Sequence, residues 1–210
     1  MHVLDADQVL RPIPTHRFVA MPVHDTQTLI RDLNSVLQRQ LDVCRGLRAL
    51  PLYRLQRRPA PARWCVMEVV EHMNLSSGHY FRQLKALYDD PRRTVRHEAR
   101  FVPGRWGELA VNAMNPRADG TIGWRMRTLG MFEPRTAITK EWQALDEFEA
   151  MLVAFQHLLV QAEQRGMEGA HITSTLGPIL RFKVGDAFRF PIAHQQRHML
   201  QIERTLEIVK

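Results

Sequence analysis

The sequence has 210 residues, of which 29 are basic, 22 are acidic and 45% are hydrophobic, so its formal net charge is +7. This balance is typical of a globular protein and excludes a disordered or fibrous chain. Two cysteines, Cys44 and Cys65, exclude a disulfide framework, and no apolar run reaches the roughly 18 residues of a membrane span. Asp5 and Asp7 stand where a signal peptide requires positive charge, so we expect a reducing, cytoplasmic protein.

Hydrophobic periodicity divides the chain into a leader and one helical domain. Residues 1–23 hold three prolines and no sustained period, which predicts an extended leader before a single domain over 24–210. Apolar residues then recur every three or four positions, which predicts an all-α protein with four long helices, arranged as a four-helix bundle. These helices are predicted over 25–50, 66–88, 139–165 and from Asp186 to near the C-terminus, with Pro191 either kinking the last helix or delaying its start.

The second and third predicted helices are separated by an insertion, residues 90–138, that is too long for a simple loop. Such insertions cover functional sites or contain short elements of their own. We predict that this insertion folds over the site and forms a wall of a substrate pocket, and the alternative is that its tryptophans only fix a surface excursion to the bundle. The aromatic and guanidinium groups that would suit an organic carboxylate or phosphate are Arg105, Trp106, Trp124, Arg125 and Arg127.

Two of the ten histidines have a spacing that suits a metal ion. His194 and His198 are four residues apart, so on a helix their side chains project from one face, one turn apart. Two imidazoles at this spacing can reach one ion. The spacing alone is weak, and the alternative is a pair of ordinary surface or core histidines.

Two sequence motifs resemble a known family. The run GDAFRFPIAHQQRHMLQ over 185–201 resembles the last helix of the DinB-like (DinB/YfiT) superfamily, whose signature there is His-x-x-x-His followed by Gln. The run WCVMEVVEHM over 64–73 resembles the signature of that family's second helix. Three shorter runs in the insertion, PGRWG, MNP and MRTLGMFEP, resemble a DinB-like subgroup with a similarly long insertion. The resemblance covers most of residues 25–209.

The resemblance implies a bundle with up-down-down-up connectivity and one divalent metal ion per chain. Carried over by position, the metal ligands are His72, His194 and His198. Three neutral imidazoles suit zinc or nickel and leave an open coordination position, although some members of the superfamily lack the metal. His79, seven residues after His72, is a candidate contact for a substrate, or else a hydrogen-bonded histidine at the core border.

Three functions are compatible with these observations. The first is a metal-dependent enzyme that acts on a small molecule and resembles the thiol-dependent transferases or hydrolases of the superfamily. A low-molecular-weight thiol is a candidate co-substrate for it. The sequence identifies no catalytic residue. The second is a non-catalytic, stress-related module that binds a metal or ligand. The third and least favoured is a nucleic-acid binder that uses the arginines near 45–63 and 92–135, because no nucleic-acid motif accompanies them.

A homodimer is also expected. This expectation comes from the resemblance and from the broad apolar C-terminal end of the second helix. Its residues there are Tyr80, Phe81, Leu84, Leu87 and Tyr88.

Overall fold

The computed structural model describes residues 21–117, 119–121, 128–134, 141–177 and 179–210. Within these residues the protein is mostly helical, with only short strands, which agrees with the predicted all-α class. The helices are α1 Thr26–Arg48, α2 Leu52–Gln56, α3 Val66–Asp89, α4 Arg105–Met114, α5 Gln143–Arg165 and α6 Val184–Ile208. The strands are β1 His24–Asp25, β2 Arg100–Phe101, β3 His171–Thr173 and β4 Arg181–Lys183.

Local sequence accounts for the ends of the long helices. The Asp25 carboxylate caps α1 by accepting a hydrogen bond from the Thr28 N–H at 2.8 Å. Glu68 caps α3 by accepting one from the Cys65 N–H at 2.8 Å. Helix α5 ends at Gly166, whose φ of +93° is readily adopted by glycine.

Helix α6 begins earlier than the sequence predicted and continues through Pro191. Its first residue is Val184 rather than Asp186, and Pro191 does not delay the start. A proline removes only one backbone donor, and burial of every residue from Val184 to Ala193 outweighs that loss. His194 and His198 are therefore one turn apart on a continuous helix.

The core lies where the apolar stripes of the four long helices meet. Helix α3 packs against α5 and α6, and α1 packs against the same two helices. Helix α3 is buried over most of its length, including the apolar end on which the dimer prediction depends. Tyr80, Leu84, Leu87 and Tyr88 lie in the core of the single chain, and Phe81 packs against it.

The insertion between α3 and α5 contains β2, α4 and a 3₁₀ turn at Gly130–Phe132. Strand β2 pairs antiparallel with β1, and α4 packs against α6. A buried carboxylate, Asp186, accepts hydrogen bonds from the Gly104 N–H at 2.7 Å and from Arg189 at 2.9 Å. Arg189 also pairs with Glu108 of α4 at 2.7 Å. This network fixes the first half of the insertion to the start of α6.

Residues 1–20 of the predicted leader lie outside the described residues, and Met21–Val23 precede β1 without regular structure. Within the part of the chain that the structure describes, no helix combines the length and the apolar character that a membrane crossing requires.

Candidate metal centre

The structure brings the three predicted histidines together between α3 and α6. Each of His72, His194 and His198 offers one ring nitrogen, and these nitrogens all lie within 4.8 Å of one another. The Nε2 atoms of His194 and His198 are 3.0 Å apart. The ring of His72 has its centroid 4.7 Å from that of His198 and 5.2 Å from that of His194. This spacing allows one ion to be shared by three imidazoles.

One hydrogen bond at Nδ1 orients each of the three rings. The Nδ1–H of His72 donates to the backbone oxygen of Phe132 at 2.7 Å, and the Nδ1–H of His198 donates to Oε1 of Gln201 at 2.9 Å. The Nδ1 of His194 lies 3.5 Å from Oγ of Ser76, whose own hydroxyl donates to the carbonyl of His72 at 2.8 Å. The oxygens of Phe132 and Gln201 can only accept, so the Nδ1 atoms of His72 and His198 carry protons and their Nε2 atoms are available as ligands.

Burial keeps the imidazoles neutral. It is the main cause that lowers the pKa of His72, that lowers the pKa of His194 well below its ordinary value, and that lowers the pKa of His198 to about 3. The neighbouring histidines and the Arg197 guanidinium lower the pKa values of His194 and His198 further. Neutral imidazole is the form that binds a metal ion.

The donor set fits a divalent late transition metal. Three imidazole nitrogens are the protein ligands of one class of open zinc site, and an oxygen lies near the Nδ1 of each ring here. An ion held by these three side chains would have a coordination position free for water or a ligand, and a cavity lies beside the histidines.

The cavity next to the histidines has a volume of about 100 Å³. Its walls come from α3, from α6, from the connection between β3 and β4, and from the insertion. The structure places four insertion residues in these walls, as expected of a segment that covers the site. They are Met114, Thr128, Leu129 and Phe132.

Of the predicted substrate contacts, the three that the structure describes do not line this cavity. Nε2 of His79 lies 2.9 Å from the backbone oxygen of Thr173, so His79 connects α3 to β3. Arg105 and Trp106 lie on α4 and face solvent, with 64% of Trp106 exposed. Arg125 and Arg127 lie outside the described residues, as does Trp124. A role for these residues in substrate binding stays a prediction.

Sequence reasoning missed the groups that orient the rings. Gln201 lies three residues after His198 on the helix, and this spacing is the one signal that could have identified its role. For Ser76, the sequence predicted only a small side chain on the second helix and no contact with a histidine. The Phe132 carbonyl, 60 residues from His72, has no sequence signal, because every residue has a backbone oxygen.

The first arginine-rich stretch is largely occupied by contacts within the chain. Arg48 pairs with Asp146 and Glu149, and Arg58 pairs with the buried Glu68. Arg54 donates to the backbone oxygens of Leu206 and Val209 near the end of α6. These arginines connect helix ends, which is a structural use rather than a phosphate-binding one.

Comparison of the chain with models of protein families, with curated proteins and with solved structures found no match. The class of the protein is therefore defined by its own fold and site. It is a mostly helical protein in which three histidines lie close enough to hold one metal ion.

Proposed function

We propose that this protein is a DinB-like four-helix bundle that binds one divalent metal ion through His72, His194 and His198. The observation that carries the proposal is that an oxygen faces the Nδ1 of each ring. Ligand histidines in metalloproteins have such partners, which fix the tautomer and the direction of the ligating nitrogen. A chance cluster of histidines has no need for three of them.

Contacts between helix ends support the up-down-down-up connectivity. Arg48, at the end of α1, contacts Asp146 and Glu149 near the start of α5, so α1 and α5 run in opposite directions. Arg165, at the end of α5, donates to backbone oxygens at the end of α3, so those two helices run in the same direction.

Helix α6 completes the same order. Arg54, just after α1, contacts the end of α6, so α1 and α6 run in the same direction. His72 lies opposite His198, whereas Tyr88, later on α3, lies opposite Phe188, earlier on α6, so α3 and α6 are antiparallel. Two parallel neighbours, α3 and α5, require a connection that returns along the bundle, which accounts for the length of the insertion.

The proposed activity is metal-dependent chemistry on a small molecule, of the thiol-transferase or hydrolase type. A bound ion would supply Lewis acidity and lower the pKa of a coordinated water or thiol. The chain itself brings the three ring nitrogens together and leaves a cavity beside them, part of whose wall comes from the insertion. This cavity favours a protein that receives a small molecule over a module that binds metal alone, and it fits both an enzyme and a non-catalytic ligand-binding module.

Metal analysis tests the proposal. Protein purified without a nickel column and dialysed against zinc should retain one ion per chain, and His194→Ala should abolish this stoichiometric binding. Its helix content should be unchanged, because the apolar core lies in the four long helices. His157→Ala removes an exposed histidine of α5 and is the matched control. Absence of zinc from the wild-type protein, or retention of zinc by the His194 variant, would refute the proposal.

A further inference from the structure

The walls of the cavity beside the three histidines are mostly apolar. Phe190 lies parallel to the ring of His194, at an interplanar angle of 2° and a centroid distance of 6.3 Å, so apolar surface begins directly beside the proposed metal ligands. Among the described residues, the apolar side chains of this lining are Met114, Leu129, Phe132, Leu176, Phe190 and Pro191. A ligand in this cavity would therefore be held largely by apolar contacts.

Most polar groups of the same lining are engaged within the protein. The Ser76 hydroxyl donates to the carbonyl of His72 at 2.8 Å. The Tyr80 hydroxyl accepts a hydrogen bond from the Thr175 N–H at 3.0 Å and lies 3.0 Å from the Thr175 hydroxyl. Arg197, which also lines the cavity, interacts with another group of the protein. These groups fix the walls, so a metal ion on the histidines would be the main polar anchor of a ligand.

Apolar side chains continue from the cavity to the protein surface. Leu129 both lines the cavity and exposes 50% of its surface, so it lies at the opening. Met131 is exposed in the same 3₁₀ turn as the wall residue Phe132. Ile179 is exposed in the connection between β3 and β4, which also contains the wall residue Leu176. Single exposed apolar side chains are ordinary, whereas several beside one cavity indicate a binding surface.

The volume limits what fits inside the cavity. It is about 100 Å³, smaller than an engineered apolar cavity of about 150 Å³ that binds benzene, so it accommodates about four to five non-hydrogen atoms. This is the size of a metal-binding head group. The rest of a larger ligand would have to leave past Leu129 and contact the exposed apolar side chains there.

We infer that this cavity receives the small head group of an amphipathic molecule, whose apolar tail passes Leu129 and lies on the exposed apolar surface at the opening. The inference rests on the proposed metal site, because the ion would bind the head group. It goes beyond that site by naming the class of ligand, an organic molecule with a metal-binding head and an aliphatic tail, and the side chain that favours the tail.

A cobalt-substituted protein separates this inference from the metal site. The visible spectrum of Co(II) first reports metal binding, so a protein that takes up no cobalt would refute the metal site itself. Alkyl hydroxamates of increasing chain length are then titrated, since their head group is small enough for the cavity and binds a metal ion in the same way at every chain length. A change of affinity along the series therefore measures contacts of the tail with the protein.

The affinity of the cobalt protein for these probes should rise with chain length. Full burial of a methylene raises affinity by about fourfold, so a tail that is buried on one side should gain about twofold per methylene from acetohydroxamate to octanohydroxamate. An affinity that stays constant along the series, with cobalt bound, would overturn the amphipathic ligand and leave the metal site intact.

Leu129→Ser should lower octanohydroxamate affinity by about fivefold or more, because the tail loses apolar surface at the opening, and it should leave the affinities for acetohydroxamate and cobalt unchanged. Leu109→Ser, which replaces an exposed leucine of α4 outside the cavity lining, is the matched control. Circular dichroism verifies that each variant is folded. Equal octanohydroxamate affinities for the two variants would refute the role of Leu129.

Discussion

Burial and hydrogen bonding together determine the protonation state of the imidazoles in the cluster. Burial lowers the pKa of all three rings, and a hydrogen bond at Nδ1 sets the tautomer of His72 and of His198. For His198 both the ligand and its acceptor belong to α6, since Gln201 lies one turn further along the helix. The orientation of His198 therefore depends on a side chain that can be replaced without disturbing another element.

Gln201→Met should weaken zinc binding by about 10- to 100-fold without abolishing it, because the Nδ1–H of His198 loses its acceptor while all three ligands remain. Competition with a chromogenic chelator measures the affinity. Gln196→Met, on the same helix and outside the lining of the histidine cavity, is the matched control. Equal zinc affinities for Gln201→Met and the wild type would contradict this role of Gln201.

The two cysteines are expected to be unreactive in the folded protein. Burial is the main cause that raises the pKa of Cys44 to about 12 and that of Cys65 to about 11, from an ordinary value of 9.0. At about pH 8 both thiols stay protonated, and the thiolate is the reactive form. This argues against Cys65 as a nucleophile.

Titration with a disulfide reagent at about pH 8 should therefore detect no free thiol before urea is added and two afterwards. The raised values also mean that the free energy of unfolding falls as pH rises above 9, because the unfolded chain then releases protons that the folded chain retains. Rapid native labelling of Cys65 would count against this environment.

At the scale of elements, the close packing of α4 against α6 depends on a glycine. A Cβ at Gly107 would overlap the carboxylate of Asp186, and Asp186 belongs to the buried network that fixes the insertion. Backbone and carboxylate thus approach more closely than any side chain at 107 would permit.

Gly107→Ala should lower the free energy of unfolding by about 1–3 kcal/mol through overpacking. Gly46→Ala is the control of opposite sign: a Cβ there meets nothing within 4 Å, and alanine in a helix should stabilise the protein by about 0.5–1 kcal/mol. Urea unfolding measures both. An unchanged stability of Gly107→Ala would mean that α4 can shift away from α6 at little cost.

For the whole molecule, the four long helices and the three histidines could be predicted because their signals are local. Periods of three and four residues define helix faces, and a histidine that borders an apolar stripe lies near the core. The short helices α2 and α4 have too few residues to show a period. The start of α6 was predicted two residues late, because Gly185 has a low helix propensity but lies inside the helix.

The expected homodimer stays a prediction, but its interface would have to differ from the one that the sequence suggested. The apolar end of α3 is covered within the single chain, so a partner would have to bind elsewhere. Helix α5 exposes Val153 and Val160, with 41% and 50% of their surfaces accessible. Light scattering at micromolar concentrations should report a dimer that Val153→Asp converts to monomer, and a wild-type monomer would refute the prediction.

The hydrogen bond from His72 to a backbone oxygen has a consequence for mutagenesis of this protein. Any amino acid at position 132 supplies the same carbonyl, so this contact is encoded by the length and path of the insertion and not by the identity of a residue. Alanine scanning will not detect this contact, because alanine keeps the backbone oxygen. Deletion of one residue between Met114 and Thr128 should instead displace the Phe132 oxygen from His72. For the orientation of His72, the expected mutational pattern is therefore tolerance to substitution at position 132 combined with intolerance to changes in the length of the insertion.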